Sequence, residues 1–365
     1  MPRLAALSAL LLVCAPLLHG CTTVPTNSLR DSPATMRSIV GMPAARDERA
    51  RYRSMFCEAL QHSASSPSEP GCDELLWRLP GEMAPAEVTP PPVREGDSPR
   101  VLIVGGAFGD CFPPASTPFV DSVAQLRRAG VDIDYVEVSG RSSSELNAAT
   151  IATRILSMPA ADLHPLVLIG YSKGAADILQ ALAGYAEAAK RVSAVISVAG
   201  AVNGSPLATR YAGVYRRLLS HRRLAACPPG DDGVLTSLDV SRRLSWLETH
   251  PLPVNIKYYS IATFTTSRRL ARALGHTYRL LAKIDARNDG QLLANDELIP
   301  GAALLGYANA DHWAIAVNME DEFPFLAHRA AGKHPFPQRV LITSLLRLVQ
   351  EDLTSSTQPR PAAVP

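Results

Sequence analysis

A serine flanked by two glycines lies in residues 170–174, whose sequence GYSKG fits the pattern G-x-S-x-G. A serine hydroxyl is a weak nucleophile unless a base, usually a histidine, takes up its proton. The base in turn needs a group, usually a carboxylate, that holds its ring in the correct orientation. The motif therefore indicates nucleophilic catalysis by Ser172, provided that the fold brings a histidine and a carboxylate beside it.

The residues on either side of the motif predict the geometry that this chemistry needs. Leu166 to Ile169 is a short apolar run, which is typical of a strand buried on both faces. The helical segment Ala175 to Ala189 begins directly after the motif. A sharp turn between them would strain the backbone of Ser172 and project its hydroxyl from the sheet edge. Gly170 and Gly174 would let the strand and the helix approach where a Cβ would clash.

Strands and helices alternate along the chain from Arg100 onward. The predicted strands are Val101 to Val104, Val131 to Val138, Leu166 to Ile169, Val192 to Val198, Val254 to Ala262 and Ala302 to Tyr307. The predicted helices are Phe119 to Ala129, Glu145 to Leu156, Ala175 to Ala189 and the closing helix Leu341 to Leu353. This alternation predicts an α/β fold with a mainly parallel sheet covered by helices on both faces.

The alternation is interrupted between Ala201 and Pro253. Tyr211 to Leu224 and Ser237 to Leu247 are predicted as helices within this interval. An insertion at this point lies above the carboxyl ends of the strands, where ligands bind to such sheets. We therefore expect a helical cap at about residues 203–252.

The serine motif in this setting resembles the nucleophile turn of the α/β-hydrolase superfamily of esterases and lipases. The resemblance covers about residues 100–353 and implies the chain order serine, acid, histidine, with the histidine after the last strand. His312 fits this order, although an isolated histidine is more often structural. Asp289 lies in an Asn-Asp-Gly turn that resembles the acid loop of many lipases. Residues 204–208, GSPLA, are similar to the segment that leads into the cap of bacterial lipases.

Other residues compete for these two roles. The alternative acids are Asp285, Asp296, Glu297 and Asp311, and Asn-Asp-Gly is also a common plain turn. The histidines His250 and His276 precede the expected position, and His328 and His334 lie in a segment broken by Pro and Gly. The predicted catalytic set is therefore Ser172, Asp289 and His312.

The resemblance also implies an oxyanion hole made by two backbone N–H groups. One donor would be Lys173, the residue after the nucleophile. The other would come from the loop GGAFG at residues 105–109, with Ala107 as the expected donor and Phe108 as the alternative. The side chain of Lys173 has three interpretations: it is solvated, it pairs with a carboxylate, or it attracts acidic substrates.

The first residues predict an exported protein. Leu4 to Leu18 is an apolar run that is too short to span a bilayer. Residues 18–21, LHGC, resemble the bacterial lipobox, which implies removal of a signal peptide at 1–20 and acylation of Cys21. With Thr22 next, the resemblance implies a periplasm-facing lipoprotein of the cell envelope, anchored in the outer membrane. An ordinary secretory signal is the alternative.

The rest of the N-terminal region, residues 21–99, lacks the length for a core of its own. We predict a Ser/Thr/Pro-rich tether at 22–45, a helix over Asp47 to His62 and a Pro-rich linker from Pro80 to Pro99. Residues 354–365 are predicted to form a disordered tail. The region 21–99 is expected to pack on the main domain at 100–353.

The even number of cysteines beyond Cys21 predicts disulfides in an exported protein. These four residues, Cys57, Cys72, Cys111 and Cys227, allow three pairings. Cys57–Cys72 is the local choice, and it leaves Cys111–Cys227. Buried free thiols are the alternative.

The composition excludes several classes of protein. The 365 residues are 47% hydrophobic and 19% charged, which is typical of a globular chain with a sizeable core. The net charge of +2 is too small to attract nucleic acid. The sequence has no Walker A loop, no paired CxxC and no HExxH, so neither a metal nor another cofactor is expected.

These residues together predict a serine hydrolase that cleaves carboxylic esters of small molecules or lipids through an acyl-enzyme. Two alternatives remain at this point. An acyltransferase would use the same three residues with an alcohol in place of water, and a binding protein would keep the scaffold without catalysis.

Overall fold

The computed structural model describes residues 29–35, 45–63, 70–84, 98–159, 164–218, 220, 227, 230–318 and 335–357. The predicted signal peptide and Cys21 lie outside these ranges, as do most of the predicted Pro-rich linker and residues 358–365. No helix in the described ranges combines the length and the apolar character that crossing a membrane requires.

Seven parallel strands form one sheet. They are β1 (Arg46–Asp47), β2 (Arg100–Val104), β3 (Ile133–Val136), β4 (Leu166–Tyr171), β5 (Val192–Val198), β6 (Lys257–Thr263) and β7 (Ala303–Ala308). Their order across the sheet is β1-β7-β6-β5-β4-β2-β3, and every neighbouring pair is parallel. The six strands predicted from the sequence are all present within a few residues of their expected bounds, and β4, which leads into the serine motif, is buried throughout.

Helices cover both faces of the sheet. They are α1 (Arg49–Ser63), α2 (Cys72–Leu75), α3 (Val120–Arg128), α4 (Ser144–Leu156), α5 (Lys173–Gly184), α6 (Ala186–Ala189), α7 (Pro206–Leu218), α8 (Val234–Ser237), α9 (Val240–Thr249), α10 (Gly275–Leu281) and α11 (Gln338–Thr357). One apolar core lies between the sheet and α1, α3 and α11, and a second lies between the opposite face and α4 and α5. This is the predicted α/β architecture.

Two helices outside the segment 203–252 depart from the sequence prediction. The helix expected over Ala175 to Ala189 is divided into α5 and α6 at Tyr185, whose φ of −128° and ψ of 82° are not helical. The closing helix runs to Thr357, so residues 354–357 are helical instead of part of a disordered tail. The hydroxyls of Thr354 and Ser355 donate to carbonyls four residues earlier, which satisfies these polar side chains within the helix.

Three helices, α7, α8 and α9, lie within residues 203–252, the segment that the sequence predicts as a cap, but their bounds differ from the predicted ones. Helix α7 begins at Pro206, which suits a first helical position because proline lacks the N–H that would have no partner there. Helix α9 begins after Asp239, whose carboxylate accepts the N–H of Arg242 at 3.1 Å. The predicted start at Ser237 is instead the end of the short helix α8.

The N-terminal region packs on the main domain. Strand β1 extends the sheet beside β7, and α1 packs against α11. Leu29 is buried, and the guanidinium of Arg287 donates to the carbonyl oxygens of Leu29, Ser32 and Pro33. Residues 29–35 are therefore docked rather than a free tether, because a buried arginine holds their carbonyls. That contact has no signature in local composition.

A buried ion pair stabilises this docking. Two nitrogens of the Arg53 guanidinium donate to the two carboxylate oxygens of Glu82, and both side chains are almost fully buried. Arg53 also donates to the carbonyls of Leu76 and Trp77, at 3.0 and 2.9 Å. A disulfide joins Cys57 of α1 to Cys72 of α2, with 5.3 Å between their Cα atoms.

We expect Arg53→Ala to lower the free energy of unfolding by about 3–5 kcal/mol, because it leaves Glu82 buried without its cation. Equilibrium urea unfolding followed by tryptophan fluorescence measures this loss. The matched control is Lys190→Ala, which removes a fully exposed pair with Glu187 and should cost about 1 kcal/mol or less. Equal losses in the two variants would contradict the view that the N-terminal region is part of the folded unit.

Candidate active site

The serine motif forms a tight turn between β4 and α5. Ser172 has φ 55° and ψ −127°, a conformation that a residue with a Cβ adopts only under strain of about 1–3 kcal/mol. Its N–H donates to the carbonyl of Val198 at 3.3 Å, and its carbonyl accepts the N–H of Ala201 at 2.9 Å. The backbone of β5 and its following loop thus holds the turn in place.

Glycines surround this turn because backbone approaches there leave no room for a side chain. A Cβ on Gly174 would lie 2.2 Å from the carbonyl oxygen of Val104, and one on Gly170 would lie 2.5 Å from the Cα of Ala175. A Cβ on Gly106 would lie 2.8 Å from the Cβ of Ser172. The G-x-S-x-G pattern is therefore a packing requirement of the turn.

His312 lies beside the serine. Its Nε2 is 2.9 Å from Ser172 Oγ, and its Nδ1 is 2.5 Å from Asp289 Oδ2. The loop that carries His312 follows β7, and two backbone contacts position it. The N–H of His312 donates to the carbonyl of Asp289 at 3.0 Å, and the hydroxyl of Tyr171 donates to the carbonyl of His312 at 2.6 Å. Burial raises the pKa of Tyr171 well above its ordinary value, so the phenol remains a donor.

Asp289 is fully buried and is held by donors on both oxygens. Its Oδ1 accepts the N–H groups of Gln291 and Leu292 at 2.8 and 2.7 Å. Its Oδ2 lies 2.9 Å from Thr263 Oγ1 and 2.5 Å from His312 Nδ1. Hydrogen bonds of this kind fix the plane of the carboxylate.

Three of the four alternative acids bond to groups other than the histidine ring. Asp285 accepts the N–H of Arg287 at 2.8 Å, and Asp311 accepts three backbone N–H groups from Ala271, Trp313 and Ala314. Asp311 thus shapes the loop that carries His312. Glu297 is fully buried and contacts Thr263 instead. The structure brings together Ser172, His312 and Asp289, the three residues that the sequence singles out.

The backbone N–H groups of Ala107 and Lys173, the two predicted oxyanion donors, differ from that of Phe108 in whether the protein already supplies an acceptor. Lys173 is the first residue of α5, so no carbonyl of the helix accepts its N–H. The N–H of Ala107 has no acceptor within the described ranges of the chain, whereas the N–H of Phe108 donates to the carbonyl of Gly140 at 2.9 Å. Ala107 and Lys173 are therefore available, and Phe108 is not.

The side chain of Lys173 points away from the serine. Its Nζ lies 2.7 and 2.8 Å from the two oxygens of Asp177, and both side chains are 1% exposed. Asp177 also accepts a hydrogen bond from Asn147 at 2.7 Å. The possibility that Lys173 attracts acidic substrates is wrong, because its charge is neutralised in the core behind the turn.

An apolar cleft of about 450 Å³ opens above the serine. Ser172 and His312 line its floor, and its walls include Phe112, Leu207, Tyr211, Leu235, Leu238 and Val317. The segment at residues 203–252 contributes Leu207, Tyr211, Leu235 and Leu238 to these walls, and the loop at residues 106–116 contributes a comparable share of the lining. An apolar cleft with few polar groups suits an ester with a hydrocarbon part.

A disulfide joins the oxyanion-side loop to the cap. It pairs Cys111 with Cys227, with 4.3 Å between their Cα atoms. Within the described ranges, one group of three potential metal ligands occurs, formed by Asp110 and the sulfurs of this pair. Sulfurs already bonded to each other are poor ligands, because metal binding requires thiolates.

Sequence reasoning missed two residues of the site. Tyr171 is the variable residue of the motif before the serine, and Thr263 is the last residue of β6. The position of Thr263 at the carboxyl end of a parallel strand is the one signal that pointed to the site. The contact itself depends on the neighbouring loops.

Comparison with solved structures finds similar proteins, whereas comparison with family models and curated sequences finds none. No protein-family model and no curated protein sequence matches the chain. A metagenomic carboxyl esterase of known structure is 35% identical, covers 90% of this chain and 100% of its own, and has a TM-score of 0.80.

Two bacterial lipases share the fold at lower identity. The mature lipase BlEst2 of Bacillus licheniformis is 20% identical, covers 65% of this chain and 94% of its own, and has a TM-score of 0.50. The Staphylococcus hyicus lipase is 14% identical, covers 74% of this chain and 100% of its own, and has a TM-score of 0.52. Given the metagenomic relative's identity over nearly the whole of both chains, this protein belongs to the α/β-hydrolase superfamily of carboxylesterases and lipases.

Proposed function

We propose that this protein hydrolyses carboxylic esters with Ser172 as nucleophile, His312 as general base and Asp289 as the carboxylate that orients the base. One observation carries the proposal: Ser172 Oγ, His312 and Asp289 form an unbroken line of hydrogen bonds of 2.9 and 2.5 Å. Membership of the esterase and lipase superfamily supports the same reaction class.

The reaction follows from this geometry. Ser172 Oγ attacks the ester carbonyl carbon while His312 Nε2 accepts the hydroxyl proton. His312 then gives that proton to the departing alcohol, which leaves an acyl-enzyme on Ser172. Water then loses a proton to His312 and attacks the acyl carbonyl, and His312 returns that proton to Ser172 Oγ as the bond to the acyl group breaks and the acid leaves. Asp289 keeps Nδ1 protonated and stabilises the imidazolium in both halves.

The proposed oxyanion donors are the N–H groups of Ala107 and Lys173. The N-terminus of α5 adds positive partial charge at the point where negative charge develops on the carbonyl oxygen. Among the described residues no acceptor binds the N–H of Ala107, and no helical carbonyl accepts that of Lys173, which supports this assignment over Phe108.

We further propose that the chain is an exported lipoprotein that acts in the cell envelope, with Cys21 as the acylated residue. The two disulfides support export, because disulfides persist in oxidising compartments and are rare in the cytosol. The LHGC segment at residues 18–21 supports acylation.

We expect Ser172→Ala to lower kcat/KM for p-nitrophenyl butyrate by about 10³-fold or more, because the nucleophile is removed while the fold is kept. A fluorophosphonate probe should label the wild type at Ser172, located by peptide mass spectrometry. The matched control is Ser241→Ala on α9, outside the cleft, which should keep both activity and labelling. Full activity in the Ser172 variant would refute the assignment of the nucleophile.

We expect esters with longer acyl chains to react faster, because the chain is buried in the apolar cleft. Each methylene that enters the cleft contributes about 0.8 kcal/mol, so kcat/KM should rise about fourfold per added carbon until the cleft is full. A series of p-nitrophenyl esters from acetate to palmitate measures this dependence. A flat series, or a maximum at acetate, would show that the cleft does not hold the acyl chain.

Export and acylation make a separate prediction. Wild-type protein expressed in a bacterial host should incorporate labelled palmitate and fractionate with membranes, because acyl chains bind bilayers in proportion to their length. Cys21→Ser should abolish both, whereas Cys14→Ser, a cysteine within the signal segment, should preserve both. Membrane association that survives Cys21→Ser would argue against the lipid anchor.

A further inference from the structure

The hydroxyl of Thr263 lies between two buried acids. Its Oγ1 is 2.9 Å from Asp289 Oδ2 on one side, and 2.9 and 3.2 Å from the two carboxyl oxygens of Glu297 on the other. Thr263, Asp289 and Glu297 are all 0% exposed. The two acids and the hydroxyl therefore form a closed polar group beside the histidine.

If both acids were ionised, this group would lack one proton for the hydrogen bonds that its geometry implies. A hydroxyl donates one hydrogen bond, so it can satisfy one carboxylate and must turn its lone pairs towards the other. Two negative oxygens would then flank one oxygen atom in a buried site, where unpaired charge is costly. One additional proton on either acid turns the repulsive contact into a second hydrogen bond.

The donors around each acid indicate where that proton lies. Asp289 accepts two backbone N–H groups on Oδ1 and faces His312 Nδ1 on Oδ2, so donors already occupy both of its oxygens. Apart from the shared hydroxyl, the carboxyl group of Glu297 receives the N–H of Thr263, at 2.7 Å to Oε2. Oε1 of Glu297 remains as the site for the proton.

The surroundings of Glu297 agree with this placement. Burial, followed by the charge of Asp289, raises the pKa of Glu297 well above its ordinary value of 4.5. Asp296, on the same loop, acts in the same direction. The charge of Glu297 also acts on the phenols of Tyr171 and Tyr307, from β4 and β7, and burial raises the pKa of both phenols, so they stay neutral.

We propose that Glu297 is a positioning residue that works in its protonated form. Its carboxyl O–H donates to Thr263 Oγ1, which directs the hydroxyl of Thr263 towards Asp289 Oδ2 and so fixes the carboxylate that orients His312. This inference rests on the proposed role of Asp289. A neutral glutamic acid also avoids a second negative charge next to Asp289, so Asp289 alone supplies the negative charge at the histidine.

The backbone of Glu297 is anchored independently of its carboxyl group. Its carbonyl accepts the hydroxyl of Ser197 on β5 at 3.2 Å, and the carbonyl of Asp296 accepts the N–H of Asn203 at 2.9 Å. The short 3-10 turn Ala294–Asp296 leads directly into Glu297. The side chain is thus presented to Thr263 by a loop that is fixed on β5 and on the segment leading into the cap.

The protonation state can be observed without measuring activity. Infrared spectra of the wild-type protein at neutral pH should contain the C=O stretch of a protonated carboxyl group, and this band should disappear in Glu297→Gln. A band that persists unchanged in Glu297→Gln, or that is absent from the wild type, would overturn the proposal. Because the band does not depend on turnover, it separates this inference from a failure of the proposed catalytic residues.

Variants at Glu297 test the donor role. Glutamine imitates a protonated glutamic acid, since its amide can donate to Thr263 Oγ1 and accept the N–H of Thr263. We expect Glu297→Gln to retain kcat/KM within about threefold, and Glu297→Leu to lose about ten- to a hundredfold, the effect of a hydrogen bond to a charged group. A loss in Glu297→Gln as large as that in Glu297→Leu would mean that the carboxylate form is required, against the proposal.

Variants at Thr263 test the role of its hydroxyl, and a variant at Thr265 is the matched control. Thr263→Val should lose about ten- to a hundredfold in kcat/KM, and Thr263→Ser should recover most of it, because serine restores the hydroxyl. Thr265→Val removes a buried hydroxyl two residues later that donates to Asn309 at 2.8 Å, away from the three catalytic side chains. An equal loss in Thr265→Val would indicate a general packing effect and would contradict the specific role of Thr263.

The pH dependence of the melting temperature gives an independent test of whether Glu297 is protonated in the folded protein. A carboxyl group whose pKa is higher in the folded state than in the unfolded state destabilises the fold progressively as pH rises above 4.5, until the folded-state pKa is passed. The melting temperature of Glu297→Gln relative to wild type should therefore increase from pH 4.5 upward. A difference that is constant with pH, or that decreases, would show that Glu297 ionises normally in the folded protein.

Discussion

The strained backbone of Ser172 is the constraint on which the rest of the site depends. A positive φ at a residue with a Cβ persists only where the surrounding structure compensates for it. Here the compensation comes from β5 and its following loop, which bond to the serine backbone on both sides, and from glycines that let α5 approach β2. The same turn places the serine hydroxyl towards His312 and leaves the first N–H of α5 without a helical acceptor.

In the proposed reaction, the site has to keep one negative charge beside His312 and no more. Asp289 is surrounded by donors, whereas the other buried carboxylates nearby are separated from the ring by their own partners. Asp177 is neutralised by Lys173 behind the turn, and Asp311 is taken up by backbone N–H groups. An imidazolium that forms during catalysis therefore faces one carboxylate, in a setting where charge interactions are only weakly screened.

The parts of this arrangement that follow from short-range rules could be predicted from the sequence. Buried strands, the serine turn, and the order of Ser172, Asp289 and His312 all have local signatures in apolar runs, glycines and spacing. The docking of residues 29–35 has no such signature, since it depends on Arg287, which lies more than 250 positions away along the chain. Glu297 could be named only as an alternative acid, because its relation to Thr263 exists only once β6 and the 3-10 turn meet.

Several contacts hold the cap on the main domain, and two of them affect how the cleft selects its substrate. The Cys111–Cys227 disulfide joins it to the loop on the oxyanion side. Arg141, in the loop after β3, is fully buried and bonds to Tyr215 of α7 and to Asp232, at 3.0 and 2.6 Å. Opening the cap would break a covalent bond or expose a buried charge that has lost its partner, both of which are costly. Selection therefore depends on the shape and the apolar lining of a cleft that is already formed, and the proposed reaction needs no large movement of the cap before Ser172 meets the ester.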